Sequence, residues 1–113
     1  MKRLSGIKLD NRQLSLYIEK HMIRSFRNKR LRKLFEDGDG RGLPPDQINR
    51  IENRLATIHA ARRIEDCDVA GYRLHPLTGN YKGFHAVWVT GNWRIIFRFE
   101  GEDAFDLDHV DYH

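Results

Sequence analysis

The sequence predicts an α+β domain in which two N-terminal helices pack on one face of a small, twisted, mainly antiparallel sheet. Two observations carry that expectation. In the first half, apolar residues recur at three- and four-residue steps, over Leu31, Leu34 and Phe35 and again over Ile48, Ile51, Leu55 and Ile58, which is the period of a one-sided helix. The second half switches to short apolar runs broken by Gly91 and Asn92 and by Gly101, the punctuation of hairpins. A length of 113 residues suits one small domain with a modest core.

Residues 1–21 read as an appendage. Their one apolar cluster, Leu14, Leu16, Tyr17 and Ile18, has polar flanks without cap signals, and a tidy domain starts at Met22, which reads as the true or ancestral start. The domain is therefore expected over residues 22–113. Residues 22–26 suit a short strand. Asn28 can cap the first helix, and Gly38 can end it in the left-handed conformation. After a loop at 39–42, Pro44 and Pro45 sit where a helix start tolerates proline, near the potential cap Asp46. The second helix is expected to run to about Arg63, with Asn49, Arg50, Glu52, Asn53 and Arg54 on its polar face. Strands are expected at 72–77, 84–90, 93–99 and 104–112.

The tight turn at Gly91 and Asn92 assigns faces to the sheet. A two-residue loop pairs Thr90 with Trp93, Val89 with Arg94, Val87 with Ile96 and His85 with Arg98, and side chains alternate along each strand. Phe84, Ala86, Trp88, Trp93, Ile95, Phe97 and Phe99 are then expected beneath the helices, together with Leu74, Phe105 and Leu107. The opposite face, expected to be uncovered, shows His85, Val87, Val89, Arg94, Ile96 and Arg98, joined by Arg73, His75 and Tyr112. Strict alternation turns Asp111 and His113 inward, a rule that strand ends often break by bulging or fraying. Arginines and histidines on an open sheet face make an anion-binding surface.

Composition narrows the function. Hydrophobic residues at 40% and charged residues at 32% describe a folded soluble chain rather than a disordered one. The net charge of +4 hides an asymmetry. Arg24, Arg27, Lys29, Arg30, Arg32 and Lys33 crowd one stretch, whereas Asp103, Asp106, Asp108 and Asp111 gather near the end. That separation suggests a polyanionic partner for the basic stretch, with a solvated helix face as the plain alternative. Cys67 is the sole cysteine, which rules out an intrachain disulfide and a cysteine metal cluster and suits a reducing cytosol. No apolar run approaches the roughly 20 residues of a membrane span. Lys8, Asp10, Asn11, Arg12 and Gln13 interrupt any leader-like core after Met1, Lys2 and Arg3.

Three segments carry the chemistry: Tyr72 to Leu77 with the turn Thr78, Gly79 and Asn80 behind it; Gly91 to Ile95; and Asp108 to His113. With the run Leu34 to Gly38 and the second helix, their order and spacing resemble the HigB branch of the RelE/ParE toxin superfamily, across residues 22–113 and none of 1–21. The resemblance implies a RelE-like fold and the toxin of a type II toxin-antitoxin system: a ribosome-dependent endoribonuclease of the cytoplasm that cuts the codon exposed in the vacant A site. The RNA's own 2′-hydroxyl attacks the adjacent phosphate, leaving a cyclic phosphate and a 5′-hydroxyl without metal or other cofactor. Such chemistry asks for a base, an acid and cations around the crowded phosphate.

By position, His75, Arg94, Asp111, Tyr112 and His113 match the family's catalytic residues. The resemblance gives Arg94 the phosphate, His75 and His113 the acid–base work, Tyr112 stacking or a hydrogen bond to RNA, and Asp111 the orientation of a neighbouring base. Arg73, Lys82, His85 and Arg98 would flank the RNA, and Arg27, Lys29, Arg30 and Lys33 would contact ribosomal RNA. Thr78 departs from the pattern, since relatives often carry lysine there; Lys82 or Arg73 would substitute. The implied partners are the ribosome, messenger RNA and a HigA-like antitoxin with a DNA-binding helix-turn-helix, in a hetero-oligomer that binds operator DNA through the antitoxin. Two rivals remain: a ParE-like toxin of the same fold that inhibits DNA gyrase, and a non-catalytic module holding RNA by phosphate contacts alone.

Overall fold

In the computed structural model, residues 22–112 are described. The first helix, α1 (Lys29–Asp37), is set by its caps. The Asn28 side-chain oxygen accepts from the backbone N–H of Arg30 and of Leu31 at 2.8 and 3.1 Å, and Gly38 ends the helix at φ 71°. The second, α2 (Ile48–Ala60), follows a 3-10 turn at Pro45–Gln47 and buries Ile51, Leu55 and Ile58. It stops short of Arg63 because the Asp66 carboxylate accepts from the backbone N–H of Arg62 and Arg63 at 3.0 and 3.3 Å, starting a separate 3-10 turn at Ile64–Cys67. No helix among the described residues is long and apolar enough to cross a membrane.

The four strands β1 (His75–Pro76), β2 (His85–Thr90), β3 (Trp93–Glu100) and β4 (Asp103–Asp111) form one antiparallel sheet in sequence order. β1 is shorter than expected, since Arg73 lies in the left-handed region at φ 52° and Pro76 has no N–H to donate. Residues 22–26 run along the free edge of β4, bridging it in parallel at Ile23 with Ala104 and at Phe26 with Leu107. The helices cover one sheet face, and Leu31, Ile51, Leu55, Val87, Val89, Ile95, Phe97 and Leu107 are buried between the layers. Complete burial of each of the larger side chains contributes about 1.5–3 kcal/mol.

The turn at Gly91 and Asn92 is the expected one, but the register behind it is not. Thr90 pairs with Trp93, yet Arg94 pairs with Trp88 and Ile95 with Val87, so Val89 is an extra residue in a β-bulge. One residue of offset inverts the whole of β2. Val87 and Val89, expected outside, lie under the helices, while Phe84, Ala86 and Trp88, expected inside, belong to the other face. The reason lies in the side chains. The bulge buries two β-branched residues and leaves the indole free to donate Nε1–H to the Gly91 carbonyl at 2.9 Å. A second irregularity, at Asp106 (φ 58°), pairs Phe105 with Arg98 and so turns it away from the helices, contrary to expectation.

Nor is the outer face bare. Leu77, Phe84, Ala86 and Ile96 form a second buried cluster, against which Tyr81, Val110 and Tyr112 pack. The charge asymmetry also resolves within the chain. Because residues 22–26 lie beside β4, Arg24 meets Asp103 at 3.2 Å, and Arg27 adds to the positive field on Asp106. Part of the basic stretch thus faces the acidic strand rather than an outside polyanion.

Candidate active site

Residues paired across antiparallel strands share a face. His75 is level with Ala86 and thence Ile96; Arg94 is level with Trp88 on one side and Val110 on the other; Tyr112 follows Val110 by two. His75, Arg94 and Tyr112 therefore share the outer face, arranged around the second apolar cluster. His75 and Arg94 stand two strands and two residues apart, about 12 Å between Cα atoms from ideal sheet spacings.

The local geometry gives each group a chemical state. His75 Nδ1 lies 2.8 Å from the Arg73 carbonyl oxygen. A carbonyl only accepts, so Nδ1 carries the hydrogen and Nε2 of the neutral ring keeps its lone pair. The left-handed turn at Arg73 aims that carbonyl back at the ring. Arg94 Nη1 donates to the carbonyls of Gly91 and Trp93 at 3.1 and 3.2 Å, which ties the guanidinium to the hairpin, while its Nε is buried without a hydrogen-bond partner. Tyr112 donates its backbone N–H to Asn92 at 2.8 Å, and its ring meets Tyr81 edge-on at 6.0 Å. Lys82 is exposed just past the 3-10 turn Gly79–Tyr81, and Thr78 is exposed just before it.

Other expected residues lie elsewhere. His85 pairs with Phe97 and so points to the helix side rather than outward, a direct result of the bulge in β2. Its ring centroid sits 6.4 Å from that of Phe97, and Nδ1 is buried without a partner. Burial first, and the nearby His75 second, hold its pKa below the ordinary histidine value. Arg98 is on the outer face but donates to Asp106 at 2.9 Å and to Glu100. Hydrogen bonding to Asp106 raises its pKa, and the charge is spent on carboxylates rather than left for a phosphate. Asp111 is level with Trp93 and so exposed on the side away from Arg94. His113 lies outside the described residues. Lys29, Arg30 and Lys33 are exposed on α1 in the helix layer, where Arg30 Nη1 donates to the Gly42 carbonyl at 3.2 Å, and Arg27 covers the ring of Phe84 at 4.9 Å.

The sequence pattern did not single out Arg50, Arg54 or Trp88 for this face. Trp88 read as core, and the two arginines as part of the polar face of the second helix. Arg54 Nε donates to the Trp88 carbonyl and Arg50 Nη1 to the Val89 carbonyl, each at 3.0 Å. Their i, i+4 spacing on α2, one side of the helix, was the available signal.

Comparison with known proteins agrees with this architecture. Over 92 residues, 81% of this chain and all of the relative, the sequence is 42% identical to a protein of Proteus vulgaris named Endoribonuclease HigB. Residues 24–113 match the HigB-like toxin family, described as the RelE-like toxin of the type II toxin-antitoxin system HigB. With ninety residues of family match laid over the helix pair and the antiparallel sheet, this chain belongs to the HigB-like, RelE-like toxins of type II toxin-antitoxin systems.

Proposed function

We propose that this chain is an endoribonuclease that cuts messenger RNA on the ribosome in the cytoplasm, and that a HigA-like antitoxin silences it. The toxin domain spans residues 22–113, with 1–21 outside it. In the reaction, His75 Nε2 takes the proton of the 2′-hydroxyl as the 2′-oxygen attacks the adjacent phosphorus. The P–O5′ bond breaks, and His113 supplies a proton to the departing 5′-oxygen. The products are a 2′,3′-cyclic phosphate and a 5′-hydroxyl, with no change of oxidation state and no metal. Arg94 stabilises the charge that accumulates on the phosphate oxygens. Tyr112 stacks on or hydrogen-bonds the RNA, Asp111 orients a neighbouring base, and Arg73 with Lys82 flanks the strand in place of the lysine that Thr78 replaces.

The observation that carries the reading is the pairing of an imidazole whose tautomer leaves a basic Nε2 with a guanidinium on the same sheet face. The name of the Proteus vulgaris relative supports the reaction class. His85 and Arg98 drop out of the RNA-binding set, the first by direction and the second by its carboxylate partners. Primer extension on messages from translating ribosomes tests the proposal. In-frame cuts on induction of the wild type, lost in His75→Gln, are expected. DNA damage dependent on gyrase without cuts would favour a ParE-like activity, and RNA binding without scission a passive module; either would overturn the nuclease reading.

A further inference from the structure

We propose that Arg50, Arg54 and Arg73, gathered around Trp88 at the β2 bulge, form a second RNA subsite that holds a phosphodiester next to the one assigned to Arg94. The identity of the polyanion rests on the RNA-cleaving function proposed above. The geometry itself does not.

Three guanidinium groups meet here, with Arg94 beside them, and none of the four has a carboxylate partner among the described residues. Arg73 stacks over the Trp88 indole at 4.2 Å, Arg50 lies 5.7 Å from the same ring, and Arg54 covers Tyr72 at 4.2 Å. Arg24, Arg62 and Arg98, by contrast, each meet a carboxylate. The free cations are also held in place. Val89 is the bulged residue, and the ladder between β1 and β2 ends at His75, so the carbonyls of Trp88 and Val89 are taken instead by Arg54 and Arg50. Arg54 is only 8% exposed. Burial lowers its pKa, Tyr72 offsets part of that, and the neighbouring Arg50 lowers it again, a conflict that a bound anion would relieve.

Continuity with Arg94 is direct. Trp88 Nε1 and Arg94 Nη1 donate to the same Gly91 carbonyl, at 2.9 and 3.1 Å, and the two residues are cross-strand partners. A strand whose scissile phosphate met Arg94 would bring its next phosphate to Arg73 and Arg50. Guanidinium forks stacked on an indole suit a phosphate flanked by planar bases better than an acidic peptide. The phosphodiester has two possible sources, the message or ribosomal RNA.

The test uses the full chain and two uncleavable probes: a fluorescent single-stranded oligoribonucleotide with 2′-O-methyl sugars, and ribosomes programmed with a 2′-O-methyl message. The salt dependence of Kd is compared for the wild type, Arg50→Ala/Arg73→Ala, Arg50→Lys/Arg73→Lys and a control, Arg62→Ala/Arg63→Ala. Losing the contacts to this one phosphate is expected to flatten the slope of log Kd against log salt by about 0.7. The lysine pair and the control should keep the wild-type slope. Flattening on the free oligoribonucleotide assigns the phosphate to the message, and flattening on ribosomes alone assigns it to ribosomal RNA. An unchanged slope on both probes, even with weaker antitoxin binding, overturns the subsite, as does a lack of wild-type binding to either. Scission of unmodified message is scored separately: binding without cutting sinks the nuclease function and leaves the subsite, and cutting with an unchanged slope does the reverse.

Discussion

Replacing Arg94 with alanine separates its roles in folding and in chemistry. The side chain gives two hydrogen bonds, to the carbonyls of Gly91 and Trp93, and each contributes about 0.5–1.5 kcal/mol net. Against them stands Nε, buried without a partner, a desolvation cost of about 1–3 kcal/mol that alanine removes. The two nearly offset, so Arg94→Ala is expected to change stability by no more than about 1 kcal/mol, a shift in Tm of about 4–8 °C for a domain of this size. Loss of a donor to the phosphate in the transition state is another matter, with an expected fall in scission of about 10²–10³-fold. Arg94→Lys keeps the charge but not the fork, and should recover only part of the rate. The assay pairs a melting curve with the single-turnover rate of message scission on ribosomes. A rate within threefold of wild type would refute the assignment, and so would a Tm drop above about 15 °C, which would make Arg94 a structural residue.

Three further outcomes follow from particular groups. His109 stacks on Trp93 at 4.3 Å, and burial, partly offset by Asp108, depresses its pKa below 6.5. The unfolded chain therefore takes up a proton that the fold resists, so this stability is complete above about pH 6.5 and declines as pH falls below it. Tm should drop from pH 7.5 to 5, and His109→Phe should flatten part of that drop, with the remainder due to His85; an identical pH profile would refute it. Burial pushes the Cys67 thiol up to about 11, so iodoacetamide at pH 8 should leave the native protein unmodified and alkylate it fully in denaturant, as intact-mass measurement would show. Asp106, at φ 58°, accepts from Arg98 at 2.9 Å and from Ser25 at 3.2 Å. Asp106→Ala should cost about 2 kcal/mol by chemical denaturation, from the left-handed backbone and the lost bonds, and Asp106→Asn clearly less.

The helices were legible because their signals are local: Asn28 and Gly38 mark the ends of α1, and the apolar steps of α2 need no knowledge of the sheet. The turn at Gly91 and Asn92 was legible for the same reason. The faces of β2 were not. From Ala86 to Val89 the strand is wholly apolar, so no alternation betrays its register, and the bulge is decided by what the helices and the indole N–H require. His75 and Arg94 kept their expected faces because neither lies on β2, whereas His85, which does, was inverted. The neutralisation of Arg24 depends on residues 22–26 lying beside β4, a contact between segments some 80 positions apart in the chain. Arg50 and Arg54 looked like any residues of a polar helix face, because nothing in a linear pattern shows that two unpaired carbonyls await them.

The bulge at Val89 accounts for more of this face than any catalytic motif does. Without it, Trp88 would turn under the helices, Arg94 would face Val89, and the carbonyls of Trp88 and Val89 would lose the geometry that brings Arg54 and Arg50 to them. With it, one extra residue turns the indole outward, sets Arg94 beside it on a shared carbonyl, and draws in two cations from the polar side of α2. Bulges are common beside active sites because they re-aim side chains without altering the fold. The cationic end of this sheet therefore follows from a single register shift, and a change that restored regular pairing would scatter its arginines while leaving every one of them in the sequence.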